Sequence, residues 1–204
     1  MPSIYDIKPK FQALLRPLCG GLAKACVTAN QVTLGACAIS FAHGALNLVT
    51  SGAQWVLLLL PIVLFIRMGM NAIDGMLARE FGQQSKLGAI LNELTDVLSD
   101  AALYLPFALI AGLHPSLVVA AVLFGVIAEM TGVIAIQIGA SRRYDGPFGK
   151  SDRAFFFGAL ALLLAFLEPG RWSTVLLALA CALGAATIIN RARQGLKESP
   201  HETA

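Results

Sequence analysis

Six long apolar runs dominate this chain, near residues 31–50, 53–73, 87–112, 116–140, 153–168 and 172–190. A helix needs about 20 mostly apolar residues to cross the hydrocarbon core of a bilayer, and each run approaches or exceeds that length. A membrane barrel strand needs only about 10 residues, with alternating polarity, so continuous runs of this length argue against a sheet. Turn-forming residues mark the gaps: Thr50-Ser51-Gly52, His114-Pro115, Gly146-Pro147 and Pro169-Gly170. The expected fold is an all-α integral membrane bundle of six transmembrane helices, built as a single domain over residues 1–204.

Composition closes the other routes. Charged residues make up 13% of the chain and hydrophobic ones 57%, whereas soluble domains carry about 25% charged residues. A disordered tail, a secreted disulfide scaffold and an ordinary soluble enzyme are excluded. The four cysteines, Cys19, Cys26, Cys37 and Cys181, follow no metal or redox spacing. Scattered bases give no support to nucleic-acid binding.

Ahead of the first run, residues 5–24 carry Ile7, Phe11, Leu14, Leu15, Leu18 and Leu22 at helical spacing, with Lys8, Lys10, Gln12 and Arg16 off the stripe. This pattern predicts an amphipathic helix lying on the membrane surface, bent near Pro17. With six spans, every Lys and Arg except Arg171 falls on the side of the termini. The positive-inside rule then places both termini in the cytoplasm; a bacterial inner membrane is the expected location.

Acidic residues inside spans are costly and mark functional sites. Here they cluster. Asp74 ends the second run; Glu93, Asp96 and Asp100 open the third; Glu129 sits within the fourth. Asn92, Asp96 and Asp100 are four apart and share one helix face, with Glu93 on its flank, and Asn71 and Asp74 share another. Opposed at one membrane level, these oxygen-rich faces suit a hard cation such as Mg²⁺, Mn²⁺ or Ca²⁺ rather than zinc. A structural network of protonated acids is the alternative, weakened by the repulsion of carboxylates packed so closely.

Asn71-Ala-Ile-Asp74-Gly75-Met-Leu-Ala78-Arg79, followed by Gly88-Ala-Ile-Leu-Asn92-Glu-Leu-Thr-Asp96, resembles the CDP-alcohol phosphotransferase signature, D-x-x-D-G-x-x-A-R then G-x-x-x-D-x-x-x-D. Thr28-Ala29-Asn30-Gln31-Val32-Thr33-Leu34 is similar to that family's T-P-N-x-x-T-x stretch. The resemblance implies a membrane enzyme that joins a CDP-linked donor, CDP-diacylglycerol being the favoured one, to an alcohol acceptor. A phosphodiester forms and CMP leaves, in phospholipid biosynthesis, with Mg²⁺ or Mn²⁺ as cofactor and a homodimer as the expected assembly.

The resemblance also assigns residues. Asp96 would be the general base on the acceptor hydroxyl. Gly75, Ala78 and Gly88 would stay small beside the nucleotide, and Arg79 would bind a phosphate of the CDP moiety. Asn71, Asp74, Asn92 and Asp96 would ligate the metal. Asn71 and Asn92 depart from the signature, which has aspartate at both positions; an amide offers a carbonyl oxygen but no charge. Asp100 or Glu93 would compensate, with Asp100 counted as a further ligand. The loop from Arg142 to Arg153 forms a phosphate cradle at the cytoplasmic mouth, with Lys150 and Arg153 on the acceptor side, an arrangement suited to an acceptor carrying phosphate or carboxylate. The competing readings are a catalytically inactive CDP- or lipid-binding homologue and, less favoured, a small transporter.

Overall fold

The computed structural model describes the backbone of residues 4–199 and the side chains of residues 11–199. Among these residues the chain forms seven α-helices and no strand: α1 (Ile4–Lys24), α2 (Ala29–Thr50), α3 (Gln54–Glu80), α4 (Lys86–Tyr104), α5 (Pro115–Ile134), α6 (Lys150–Phe166) and α7 (Arg171–Glu198). Short 3₁₀ turns extend α4 over Leu105–Leu109 and α5 over Ala135–Ile138. Each apolar run becomes a helix. Four helices, namely α2, α3, α5 with its 3₁₀ end, and α7, are long and apolar enough to cross a membrane. The other two differ for physical reasons. Three carboxylates lie along α4, and α6 is cut to 17 residues between Gly149 and the Pro169-Gly170 turn.

Local signals fix the helix ends. Thr28 accepts from the backbone N–H of Gln31 at 3.2 Å while its own N–H donates to the Gln31 side chain at 2.9 Å, a reciprocal cap on α2. Ser85 caps α4 by accepting from the Gly88 N–H at 2.9 Å, and Asp152 accepts from the Gly149 N–H at 2.9 Å where α6 begins. Pro115 opens α5, a position whose N–H has no helical partner to lose.

The N-terminal helix divides its apolar stripe. Leu15, Leu22 and buried Cys19 pack on Ile73, Met76 and Leu77 of α3. Phe11 meets Phe65 edge-on at 6.2 Å, and Arg16 donates twice to Glu80, at 3.0 and 3.1 Å. Leu14 and Leu18 are exposed on the outer surface. Pro17 sits within this continuous helix. Ile7, Lys8 and Lys10 lie outside the described side chains.

In the bundle, α2 packs along both α3 and α4, α3 against α6, and α5 against α7. A Cβ on Gly44 would strike the carbonyl oxygen of Ala102, so glycine is what lets α2 and α4 approach backbone to backbone. The core gathers Leu57, Leu60, Leu103, Phe107, Val118, Phe157, Leu160 and Leu177, with Tyr104 stacked on Phe157 at 4.1 Å. These positions fall early in α3, α5 and α7 and late in α4 and α6. Arg67 and Asp74 lie later in α3, Asp96 earlier in α4, Glu129 later in α5, Lys150 and Arg153 first in α6, and Arg191 later in α7. An up-and-down bundle with one apolar end and one charged end results.

Candidate active site

Because α2 lies along both α3 and α4, a gap opens between those two helices, and polar side chains meet across it. Asn71 of α3 donates its amide to Asp96 Oδ1 of α4 at 3.3 Å. One turn earlier on α3, Arg67 donates to the Asp96 carbonyl at 3.0 Å and to Asp100 Oδ1 at 2.5 Å. Lys150, the first residue of α6, brings its ammonium to 2.5 Å from Asp96 Oδ1. Asp74 is buried, and its Oδ2 accepts from the Thr33 hydroxyl at 2.8 Å. Thr33 comes from the stretch that begins at the Thr28 cap, so this one segment both starts α2 and seats a signature carboxylate.

The small signature residues have visible neighbours. A Cβ on Gly75 would lie 2.9 Å from Arg79 Nη2, so glycine lets the Arg79 guanidinium fold back over the helix. On Gly88 a Cβ would meet Asn30 Oδ1 at 2.8 Å and Ser85 Oγ at 3.0 Å. Ala78 packs beside the α1–α3 cluster. Asn92 is exposed at the rim.

Two expected compensating acids are engaged elsewhere. Asp100 is 6% exposed and has both oxygens on arginines, Arg67 on one side and Arg153 at 2.9 and 3.2 Å on the other. Glu93 takes two bonds from Arg142, each 2.6 Å. Both acids are thus already paired with arginine. Arg153, expected to meet the acceptor, is 3% exposed and reaches Asp100 and Glu129 instead. In the loop after α5, Arg143 pairs with Asp145 at 2.7 Å and with Glu198. That contact holds the Asp145 carboxyl below the ordinary carboxylate range.

The donor set left for a cation is two carboxylates, Asp74 and Asp96, with the amide carbonyls of Asn71 and Asn92. Among the described residues no group of three or more His, Cys, Asp or Glu side chains forms a self-contained metal site. The set still fits Mg²⁺ or Mn²⁺. Magnesium is commonly held by one or two carboxylates together with substrate phosphates, not by an all-protein cage.

Beside this polar gap, α3 and α6 enclose a cavity of about 540 Å³. Pro61, Leu64, Phe65, Met68, Phe155 and Leu162 form its apolar wall, and Arg67, Asn71 and Lys150 its polar end.

Residues 26–186 match the sequence profile of CDP-alcohol phosphatidyltransferase. The chain belongs to the CDP-alcohol phosphatidyltransferase family. Inner membrane protein YnbA of Escherichia coli K12 is 49% identical over 195 residues, covering 95% of this chain and 96% of that protein. Archaetidylinositol phosphate synthase of Aeropyrum pernix is 30% identical over 122 residues, 60% of this chain and 61% of that protein. Two Mycobacterium tuberculosis phosphatidylinositol phosphate synthase (PgsA1) structures share the fold. The one with manganese and citrate gives a TM-score of 0.76 at 20% identity, over 92% of this chain and 91% of the other. The one with CDP-DAG bound gives 0.72 at 21%, over 92% and 96%. As a member of the family, the chain is a transferase of substituted phosphate groups that uses a CDP-linked donor in phospholipid synthesis.

Several residues of the site were not singled out by their sequence. Thr33 fell within the Thr28–Leu34 stretch but was given no role there, and Arg67 counted only among the cations on the side of the termini. One signal was present, since Arg67 lies four residues before Asn71 and seven before Asp74, on the same helix face. Arg191 gave no such signal, because its partner Glu129 is on another helix.

Proposed function

We propose that the chain moves a phosphatidyl group from CDP-diacylglycerol to an alcohol, releasing CMP, in the gap between α3 and α4. The observation that carries this reading is the continuity of an apolar cavity between α3 and α6 with the polar residues Asn71 and Lys150 at its end. Acyl chains suit its wall, and a pyrophosphate suits the oxygen and cation groups at its mouth.

Asp96 is the candidate catalytic base. It is partly exposed and reachable, with Lys150 and Arg67 beside it. The acceptor oxygen forms a bond to the lipid-bearing phosphorus as its proton passes to Asp96, and the bond from that phosphorus to CMP breaks. Arg79, folded over Gly75, is placed to meet a donor phosphate, and the small Ala78 and Gly88 leave room for the nucleotide. Asp74, Asn71, Asn92 and Asp96 would hold Mg²⁺ or Mn²⁺ jointly with the donor; a bound cation supplies neutralisation of the pyrophosphate charge. Asn71 and Asn92 lower the negative charge of the site, which makes the donor's own phosphates necessary ligands.

The alternating placement of core and charge along α2–α7 supports six crossings, with α1 at the surface. Bacterial inner-membrane residence follows the YnbA relative, and the basic flanks favour cytoplasmic termini and a cytoplasmic site. A homodimer is the expected assembly.

The test is CMP release by purified protein in lipid–detergent micelles with CDP-diacylglycerol, Mg²⁺ or Mn²⁺, and a pool of alcohols. Acceptor-dependent CMP that falls about a hundredfold or more in Asp96→Asn agrees with the assignment. Protein that binds CDP yet releases no CMP with any metal or acceptor identifies a binding homologue instead.

A further inference from the structure

Three arginines from three different segments converge on Glu129 in the second half of α5. Its Oε1 accepts from Arg153 of α6 at 3.0 Å, and its Oε2 lies 3.1 Å from Arg191 of α7 and 3.2 Å from Arg142 of the loop between α5 and α6. Glu129 is 7% exposed, Arg153 3% and Arg191 1%.

Glycines on the same face of α5 make this arrangement possible. A Cβ on Gly125, one turn before Glu129, would lie 3.0 Å from Arg153 Cδ and Nε. On Gly132, one turn after, it would collide with the Arg143 carbonyl and lie 3.3 Å from Arg191 Nη1. The helix is thus notched on both sides of the carboxylate to admit the guanidinium groups.

A convergent set of arginines is the usual protein device for gripping a phosphate. Here the focus is already filled by the protein's own carboxylate. We infer that Glu129 stands in for an acceptor phosphate, so that the alcohol accepted by this chain carries no phosphate or other anionic group; this rests on the transferase reading above.

Charge matching supports the inference. Arg67, Arg142, Lys150, Arg153 and Arg191 are each already paired with a carboxylate, drawn from Glu93, Asp96, Asp100 and Glu129. A phosphomonoester would bring about −1.5 to −2 further charges into a site whose donors are already engaged by carboxylates. Placing like charges together there is strongly unfavourable. Arg153 Nη1 has no partner, but the cavity that Arg153 lines measures about 10 Å³, room for a single water and too little for phosphate. The acceptor class is a neutral polyol or a cationic amino alcohol. Glu129 is a specificity-determining and positioning residue, acting through the arginines it holds.

The test compares each alcohol with its phosphate ester as acceptor: glycerol against glycerol phosphate, inositol against inositol phosphate, ethanolamine against phosphoethanolamine. In wild-type protein with CDP-diacylglycerol, kcat/KM should favour the unphosphorylated member of an accepted pair by roughly tenfold or more. Glu129→Gln should shift that ratio toward the ester by a similar factor. A wild-type preference for the ester overturns the inference.

A second arm needs no transfer: titration calorimetry of inorganic phosphate into the full chain. Wild type should show no saturable binding that depends on Arg142, and Glu129→Gln should show binding that a further Arg142→Ala removes. Wild-type phosphate binding lost in Arg142→Ala contradicts the proposal. If no alcohol supports CMP release while this phosphate pattern holds, the transferase reading fails and the anion-exclusion inference stands. Should Glu129→Gln not fold, Glu93→Gln frees Arg142 from a more exposed position, its side chain 34% accessible. It should move the binding in the same direction, and no change in a folded variant of either kind counts against the proposal.

Discussion

The buried polar contacts of single residues decide which acids remain available for chemistry. Thr33 is the clearest case. Its hydroxyl contacts both Asp74 Oδ2 and the Ala29 carbonyl, so Thr33→Val keeps the shape and removes a donor to a buried carboxylate. An orphaned buried acceptor costs about 1–3 kcal/mol. The variant should fold, melt at a lower temperature and show weaker Mg²⁺ or Mn²⁺ dependence of CMP release than wild type; unchanged metal dependence would separate Thr33 from the site. Arg67 tests a different relation. Removing it as Arg67→Met leaves Asp100 with one arginine fewer in a buried setting, where breaking a pair costs about 3–5 kcal/mol. The expected outcome is a marked loss of thermal stability in detergent, read by a fluorescence melt. At this scale Asp74 and Asp96 were legible, because acids in apolar runs stand out and their spacing is fixed. Thr33 was hidden, since its partner lies 41 residues away. Asp100 and Arg153 were legible as polar, but their pairing with each other was not: sequence spacing shows shared faces, and it does not show which opposite charge reaches a face first.

Helices are set by different signals at their centres and their ends. Their existence was plain from the apolar runs, and the turns at Thr50-Ser51-Gly52 and Pro169-Gly170 fell where the sequence placed them. Their lengths were not plain. Both α3 and α7 continue past their apolar runs, which end near 73 and 190, to Glu80 and Glu198, where ion pairs such as Arg16–Glu80 and Arg143–Glu198 hold the ends. The consequence is functional, since Asp74, Gly75, Ala78 and Arg79 sit on rigid helix and not on a loop. Packing between α2 and α4 depends on Gly44 for the same reason of close approach. Gly44→Val should separate the two helices at Ala102. Overpacking of this kind costs about 1–3 kcal/mol or more, visible as aggregation on size-exclusion chromatography, whereas a valine at Gly20, which has open space around it, should elute as wild type.

For the whole molecule, the separation of an apolar end from a charged end follows from alternating helix directions, and it gathers the site residues toward one end of the bundle. The topology makes a labelling prediction. In a cysteine-free background, Ser51→Cys and Gln84→Cys should lie on opposite sides, so that an impermeant maleimide added to intact cells labels the first and spares the second. Labelling of both or of neither contradicts six alternating crossings. Fold class was readable from the length and continuity of the runs alone, whereas the gap between α3 and α4 was not. It exists because α2 packs on both, a tertiary fact with no local signature.

The central claim is that a phosphatidyl group is carried intact from a CDP-linked lipid to an alcohol. Mass spectrometry of the lipid fraction tests it most directly, after incubation with CDP-diacylglycerol of defined acyl chains, divalent metal and a pool of unphosphorylated alcohols. The account predicts a new phospholipid bearing the donor's acyl chains and one alcohol, formed mole for mole with CMP and absent from Asp96→Asn. Phosphatidic acid and CMP without an alcohol adduct would contradict it, as would a donor recovered unchanged from protein that binds CDP.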